Sequence, residues 1–217
     1  MKYSIVFPGQ GSQSIGMLSD LRSNFSVVNE IFQEASDAIN IDLWKIVNED
    51  QELLNFTDNT QPIMLAAGYA TYKVLAGEVN LTPSSIAGHS LGEYTALVAS
   101  GSLGFFEAVK LVRKRAKLMQ EAVPSGSGSM AAILGLDDVK VVEICSVANR
   151  VGVVEAVNFN SPGQVVIAGE KDAVAHACEL MKEAGAKRAL VLSVSVPSHC
   201  SLMKDAAMDF KHSVETI

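Results

Sequence analysis

The stretch Gly88-His89-Ser90-Leu91-Gly92-Glu93-Tyr94 decides how this chain is read. A short apolar run, Ser85-Ile86-Ala87, precedes it, and a helical pattern from Leu91 to about Val98 follows. Strand, sharp turn and helix form the setting in which G-x-S-x-G becomes a nucleophile elbow. Gly88 and Gly92 fit, because so tight a turn leaves no room for Cβ atoms beside the serine. The turn lifts the Ser90 hydroxyl above the sheet edge. It also sets Ser90 at a helix N-terminus, where backbone N–H groups favour negative charge. A plain Gly-Ser loop is the competing reading, and the flanking strand and helix favour the elbow.

The chain has 217 residues, 48% of them hydrophobic, enough for one large domain or a domain carrying an insertion. Seventeen basic residues against 24 acidic ones give a net charge of −7, which argues against nucleic acid as the main partner. The segment Met1 to Phe7 turns to Pro8-Gly9 too early for a signal peptide. No apolar run reaches the roughly 18 residues of a transmembrane helix, so no membrane partner is expected. Cys145, Cys178 and Cys200 are odd in number and irregular in spacing, which suits a reducing cytoplasm and no disulfide framework. No pair has zinc-ligand spacing, so no metal is expected.

Tyr3 to Phe7 reads as a first strand, ending in Pro8-Gly9-Gln10-Gly11-Ser12-Gln13. The third glycine of a dinucleotide fingerprint is replaced by Ser14, and no G-K-[ST] follows, so neither a Rossmann nor a P-loop reading stands. What remains is a glycine-rich turn whose N–H groups are able to face a ligand, or a plain strand-to-helix turn. Val27, Val28, Ile31, Phe32, Ala35 and Ile39 recur at helical spacing, Leu43 to Val47 is a short second helix, and Gln61-Pro62 opens a longer one.

From Phe105 to Met119 the apolar residues form one broad helical stripe, with Lys110, Arg113, Lys114 and Lys117 opposite. Arg115 falls in the middle of the apolar face, in step with Ala108, Val112 and Met119. An arginine there must either pair with an internal carboxylate or meet a ligand, because an unpaired buried charge is very costly. The pattern alone does not choose between the two.

Pro124-Ser125-Gly126-Ser127-Gly128 reads as a linker, and the style of the chain then changes. Met130 to Leu134 is a strand, a helix runs through Val139, Val142 and Cys145, and Val151 to Phe159 is a strand. Ser161-Pro162-Gly163 is a turn, Gln164 to Ala168 a strand, Asp172 to Ala184 a helix, and Arg188 to Val194 a strand. The order βαββαβ matches the ferredoxin-like split motif, so residues 126–194 read as a small inserted subdomain. In Ser195-Val196-Pro197-Ser198-His199-Cys200 the proline biases its predecessor toward extended geometry, so His199 follows the end of an extended segment, and Leu202, Met203, Ala206, Phe210 and Val214 mark a last amphipathic helix.

A serine hydroxyl needs a base within hydrogen-bond reach. His89 adjoins Ser90, but neighbouring side chains diverge at an elbow. His176 lies in a helix of the small subdomain, and His212 stands among polar neighbours on the last helix. His199, where the chain returns from the insertion, is the preferred candidate among the four.

Five ordered segments now carry a resemblance: F-P-G-Q-G-S-Q at Phe7 to Gln13, G-H-S-L-G-E-Y at Gly88 to Tyr94, and K-R-A-K-L-M-Q around Arg115. N-F-N-S-P-G-Q-V-V-I-A-G at Asn158 to Gly169 and V-P-S-H at Val196 to His199 complete the set. From Met1 to near its last residue, the chain resembles the malonyl-CoA:acyl carrier protein transacylases, the stand-alone bacterial branch of the acyltransferase family of fatty acid and polyketide synthesis. The resemblance implies an α/β fold, with an α/β-hydrolase-like subdomain over residues 1–125 and 195–217 and a ferredoxin-like subdomain over 126–194. It implies that Ser90 attacks the malonyl thioester, that His199 shuttles the proton, and that the N–H groups of Gln10 and Leu91 form the oxyanion hole. Arg115 would clamp the free malonyl carboxylate. The acyl group would move from malonyl-CoA to the phosphopantetheine thiol of acyl carrier protein by a ping-pong cycle, without metal or redox cofactor.

In the family, the catalytic domain continues past the helix that follows the histidine and supplies a backbone acceptor for it. The 217-residue chain is accordingly expected to be weakly active or inactive alone, and a monomer when full length. A serine thioesterase or esterase, or a fragment that only binds the carrier protein, are the alternatives. Leu91 and Ser198 resemble the malonyl-selective, stand-alone members. Lys110, Lys114 and Lys117 are either a docking face for an acidic carrier protein or a solvated helix side.

Overall fold

The apolar run after Met1 forms strand β1 over Ser4–Phe7 in the computed structural model, which describes residues 2–192, Val194 and residues 196–217. Short helices α1 (Ser19–Asn24), α2 (Ser26–Ile39), α3 (Leu43–Glu49) and α4 (Gln51–Asn55) follow. Val28, Ile31, Phe32 and Ala35 of α2 are buried at the expected three- and four-residue steps. Asp42 and Asp50 cap α3 and α4, accepting from Lys45 N–H at 2.9 Å and Leu53 N–H at 2.8 Å. Each cap contributes about 1 kcal/mol to helix stability.

Helix α5 covers Thr57–Glu78, so it does not open at Gln61-Pro62 as its sequence suggests; the proline lies inside it. Polar side chains tie the early start to the end of α4. Thr60 Oγ1 donates to the carbonyls of Leu54 (2.6 Å) and Phe56 (2.9 Å), and Asn59 Nδ2 donates to that of Leu53 (3.1 Å). Those bonds add to the backbone ones that Phe56 N–H makes to the Leu53 carbonyl and that Asn59 and Thr60 N–H make to the Phe56 carbonyl.

Strand β2 (Ser85–Gly88) pairs parallel to β1, Ser4 opposite Ser85 and Phe7 opposite Gly88. Helices α6 (Gly92–Ala99) and α7 (Phe105–Glu121) follow. Phe105, Ala108, Val109, Leu111, Val112, Ala116 and Met119 of α7 are buried, while Lys110, Lys114 and Lys117 are exposed. Arg113 departs from its expected place on the solvent side. It pairs with Asp58 Oδ2 at 3.2 Å and donates to Asn59 Oδ1 at 3.2 Å, because the unforeseen first turn of α5 supplies both acceptors.

The later part of the chain contains β3 (Gly128–Leu134), α8 (Asp138–Ala148), β4 (Val154–Ser161), β5 (Gln164–Glu170), α9 (Lys171–Glu183) and β6 (Arg188–Val191). A 3-10 turn at Ser201–Met203 leads into α10 (Lys204–Val214). The four strands form one antiparallel sheet in the order β4-β5-β3-β6. Alternation along the strands separates two faces. Ala131, Ile133, Val165 and Ile167 pack with α8 and α9, while Met130, Val166 and Ala168 pack with Cys200.

Two boundaries differ from the sequence reading. Strand β4 starts at Val154 rather than Val151, because Val151 N–H turns back to Ala148 and Asn149 Oδ1 accepts from Val154 N–H at 2.7 Å. Strand β6 ends at Val191, short of Val194; Ser193, and Ser195 of the next extended segment, lie outside the described residues. On α8, Val139 and Val142 face solvent, and Val141, Ile144, Cys145 and Ala148 make the buried stripe.

Two compact units result, Met1–Lys117 with Thr216–Ile217, and Leu118–Glu215. Sequence reading had set the divisions at 125/126 and 194/195. No described helix is long and apolar enough to cross a membrane.

Candidate active site

The elbow is built by close backbone approach. A Cβ on Gly88 would lie 1.9 Å from the carbonyl carbon of Gly92, and one on Gly92 would lie 2.1 Å from the carbonyl oxygen of Phe7. Both positions therefore admit glycine alone, and β1, β2 and α6 meet at the turn between them. His89 N–H donates to the Phe7 carbonyl at 3.0 Å, extending the β1–β2 ladder into the turn. Ser90 sits at φ 53°, a left-handed conformation that a non-glycine residue adopts under strain. Leu91 caps α6, and the N–H groups of Gly92, Glu93 and Tyr94 close tight turns onto His89, Ser90 and Leu91. Among the described residues, neither Leu91 N–H nor Gln10 N–H donates to a protein acceptor.

Arg115 reaches this serine. Its Nη2 donates to Ser90 Oγ at 3.1 Å and its Nη1 to Gln61 Oε1 at 2.8 Å. The guanidinium carbon stands 5.7 Å from the centre of the Tyr94 ring. Burial pushes the Arg115 pKa down from its usual range, and Tyr94 and then Glu93 oppose that shift. Burial likewise raises the Tyr94 pKa, against the pull of Arg115. No carboxylate among the described residues makes an ion pair with Arg115. The internal pair that the sequence left open is thus not seen, and a half-buried cation rests on the neutral oxygens of Gln61 and Ser90.

Gln61 is the residue that sequence reading missed. It is fully buried, holds Arg115, and directs its Nε2 to Gln10 Oε1 at 3.4 Å. A polar side chain entering the apolar run Ile63 to Ala67 was the available signal. Tyr94, whose ring lies 5.7 Å from the guanidinium carbon, is the second such residue.

His199 belongs to the second unit. It is exposed and takes φ 71°, on the turn between buried Pro197 and buried Cys200. His89 is exposed on the elbow, His176 half-buried on α9 and His212 exposed on α10.

An α/β chain with a strained serine on a strand-to-helix elbow defines a protein of nucleophilic acyl chemistry. More particularly, the chain belongs to the acyl transferase domain family, whose model matches residues 4–217. It is 56% identical to the malonyl CoA-acyl carrier protein transacylase of Haemophilus influenzae, over all of this chain and 70% of that protein. It is 54% identical to the Escherichia coli K12 enzyme of the same name, over 95% of this chain and 67% of the other. Among solved structures, the malonyl CoA-acyl carrier protein transacylase of Coxiella burnetii superimposes with a TM-score of 0.98 at 46% identity, over all of this chain and 69% of that one. A malonyl-transacylase in complex with its type II PKS acyl-carrier protein gives a TM-score of 0.97 at 52% identity, over all of this chain and 71% of that one.

Proposed function

We propose that this protein transfers the malonyl group of malonyl-CoA to the phosphopantetheine thiol of acyl carrier protein, as an [acyl-carrier-protein] S-malonyltransferase of cytoplasmic fatty acid synthesis. The observation that carries the reading is the Arg115 guanidinium 3.1 Å from Ser90 Oγ, without a carboxylate partner among the described residues. A hydrolase for neutral acyl chains has no use for that charge, whereas a malonyl group brings its own carboxylate to it. The names of the relatives, and the complex of one of them with its carrier protein, support the two substrates.

In the first half-reaction Ser90 Oγ attacks the thioester carbonyl while His199 takes the hydroxyl proton. The N–H groups of Gln10 and Leu91 receive the developing oxyanion, a contribution of about 3 kcal/mol per donor. The carbon–sulfur bond breaks, His199 returns the proton to the CoA thiolate, and malonyl-Ser90 remains. In the second half, the carrier thiol gives its proton to His199 and attacks the ester, and Ser90 leaves with that proton. Binding, orientation and proton transfer are all supplied by side chains and backbone. We read the first unit as α/β-hydrolase-like, and the βαββαβ segment within the second as ferredoxin-like.

Incubation with malonyl-CoA followed by intact-mass measurement tests the reading. One malonyl adduct is expected, mapping to Ser90, discharged by carrier protein bearing phosphopantetheine and missing in Ser90→Ala. A chain that gains its adduct at a residue other than Ser90, or that still gains it in Ser90→Ala, overturns the proposal.

A further inference from the structure

The turn that carries His199 is fastened to the sheet of its own unit at three points. Pro197 lies against Gly128 of β3, where a Cβ would meet the proline ring at 2.4 Å. Cys200 is 5% exposed among Met130, Val166 and Ala168, and its thiol donates to the Pro197 carbonyl at 3.1 Å. The third point is a charged one: Ser201 N–H donates to Glu155 Oε2, on β4, at 2.7 Å. Short bonds to an ionised acceptor are the strong ones.

That bond stands where a helix cap would be. The 3-10 turn Ser201–Met203 begins immediately after the histidine turn, and Cys200, in the N-cap position, makes no side-chain cap. Glu155, 46 residues away in sequence, supplies the missing acceptor to an exposed N–H that would otherwise bond only water. The histidine upstream needs such support. At φ 71° its backbone lies in a region a β-substituted residue leaves unless its surroundings hold it there.

We propose that Glu155 is a positioning residue for His199: by gripping Ser201 N–H, it fixes the turn and thereby the direction of the imidazole during acyl transfer. The inference rests on the reading of His199 as the proton shuttle. A general base displaced by about 1 Å loses a large part of its effect, so the anchor acts on the chemical step and leaves substrate binding alone.

The experiment compares Glu155→Ala, Glu155→Gln and His199→Ala in the full chain, with two readouts. The first is malonyl loading of Ser90 at varied malonyl-CoA. Glu155→Ala is expected to lower kcat roughly 10- to 100-fold, with KM within about twofold. Glu155→Gln, which keeps an oxygen acceptor in place, is expected to recover most of that loss. The second is hydrogen exchange at the Ser201 amide, which needs no turnover. Exchange is expected to quicken in Glu155→Ala and stay slow in Glu155→Gln. An unchanged Ser201 exchange rate, or a loss of thermal stability in Glu155→Ala with kcat intact, overturns the proposal. Loading that survives in His199→Ala instead overturns the role of the histidine, and the exchange data still report on the anchor.

Discussion

Replacing Arg115 with alanine separates two roles that the site geometry allows, and they have opposite signatures. The guanidinium touches Ser90 Oγ at 3.1 Å and Gln61 Oε1 at 2.8 Å. If it serves the substrate, a malonyl carboxylate exchanges those neutral contacts for charge-assisted ones, each worth about 1.5–3 kcal/mol. Desolvation of the carboxylate and displacement of the resting contacts offset part of this. Truncation at a buried charged pair typically costs about 2–5 kcal/mol, or roughly 30- to 4,000-fold in kcat/KM. Acetyl-CoA offers no carboxylate, so its loading should change by less than about threefold. If Arg115 instead serves Ser90 by stabilising the alkoxide, malonyl and acetyl loading fall by the same factor. The assay is the initial rate of Ser90 acylation by intact mass, with both thioesters, in Arg115→Ala and Arg115→Lys. Lysine keeps the charge and loses the planar fork, so it should recover part of malonyl loading. Equal losses for the two substrates would refute the carboxylate clamp.

Three further outcomes follow from the same structure. Gln61→Leu keeps the volume and removes the acceptor that orients Arg115; malonyl KM should rise by roughly 5- to 30-fold, about 1–2 kcal/mol, with acetyl loading steady. Gly92→Ala places a methyl 2.1 Å from Phe7 O and 2.7 Å from Pro8 O, backbone atoms that cannot yield, and should cost about 3 kcal/mol or more by denaturant midpoint. Gly77→Ala, in α5 with nothing within 4 Å, should stabilise by about 0.4–1 kcal/mol and serves as its control. Burial pushes the Cys145 thiol up from 9.0 to about 12. The folded state therefore favours the neutral thiol: its contribution is whole below pH 9.0, where the unfolded thiol begins to ionise, and is lost between there and about 12. Urea titrations across that range should show an alkaline loss of stability that is smaller in Cys145→Ala.

How much was legible in the sequence depended on how far apart the interacting groups lie along the chain. The elbow could be read because its pattern is local: Gly88, Ser90 and Gly92 are neighbours, and a Cβ on Gly88 would strike Gly92 in the same turn, although the clash at Gly92 is with Phe7 and Pro8 at the end of the distant first strand. Arg115 could be read as an anomaly, because the period of one helix suffices to show a charge on an apolar face, though not what it meets. Gln61 carried only a faint signal, a polar residue entering an apolar run, since the arginine it holds is 54 residues away and its own neighbourhood looks like an ordinary helix opening at a proline. The same misplacement of the start of α5 hid Asp58 and Asn59, and with them the partners of Arg113. Glu155 is the extreme case: on a strand its alternation reads as a polar residue between apolar ones, and its bond to Ser201 exists only once the sheet is assembled. Chemistry that attacks a substrate is written in short motifs, because the backbone must be bent at that point. The groups that hold such a motif steady need only an oxygen or a hydrogen at the right place, which any of several elements can deliver. Substitutions at Gln61 and Glu155 should accordingly tolerate conservative replacement, as Gln61→Glu would not, since it trades a neutral acceptor for a carboxylate that would pair with Arg115 and compete with malonyl for it. A Gln61→Glu chain that still loads malonyl in preference to acetyl would show that the neutrality of this acceptor is unimportant to the clamp.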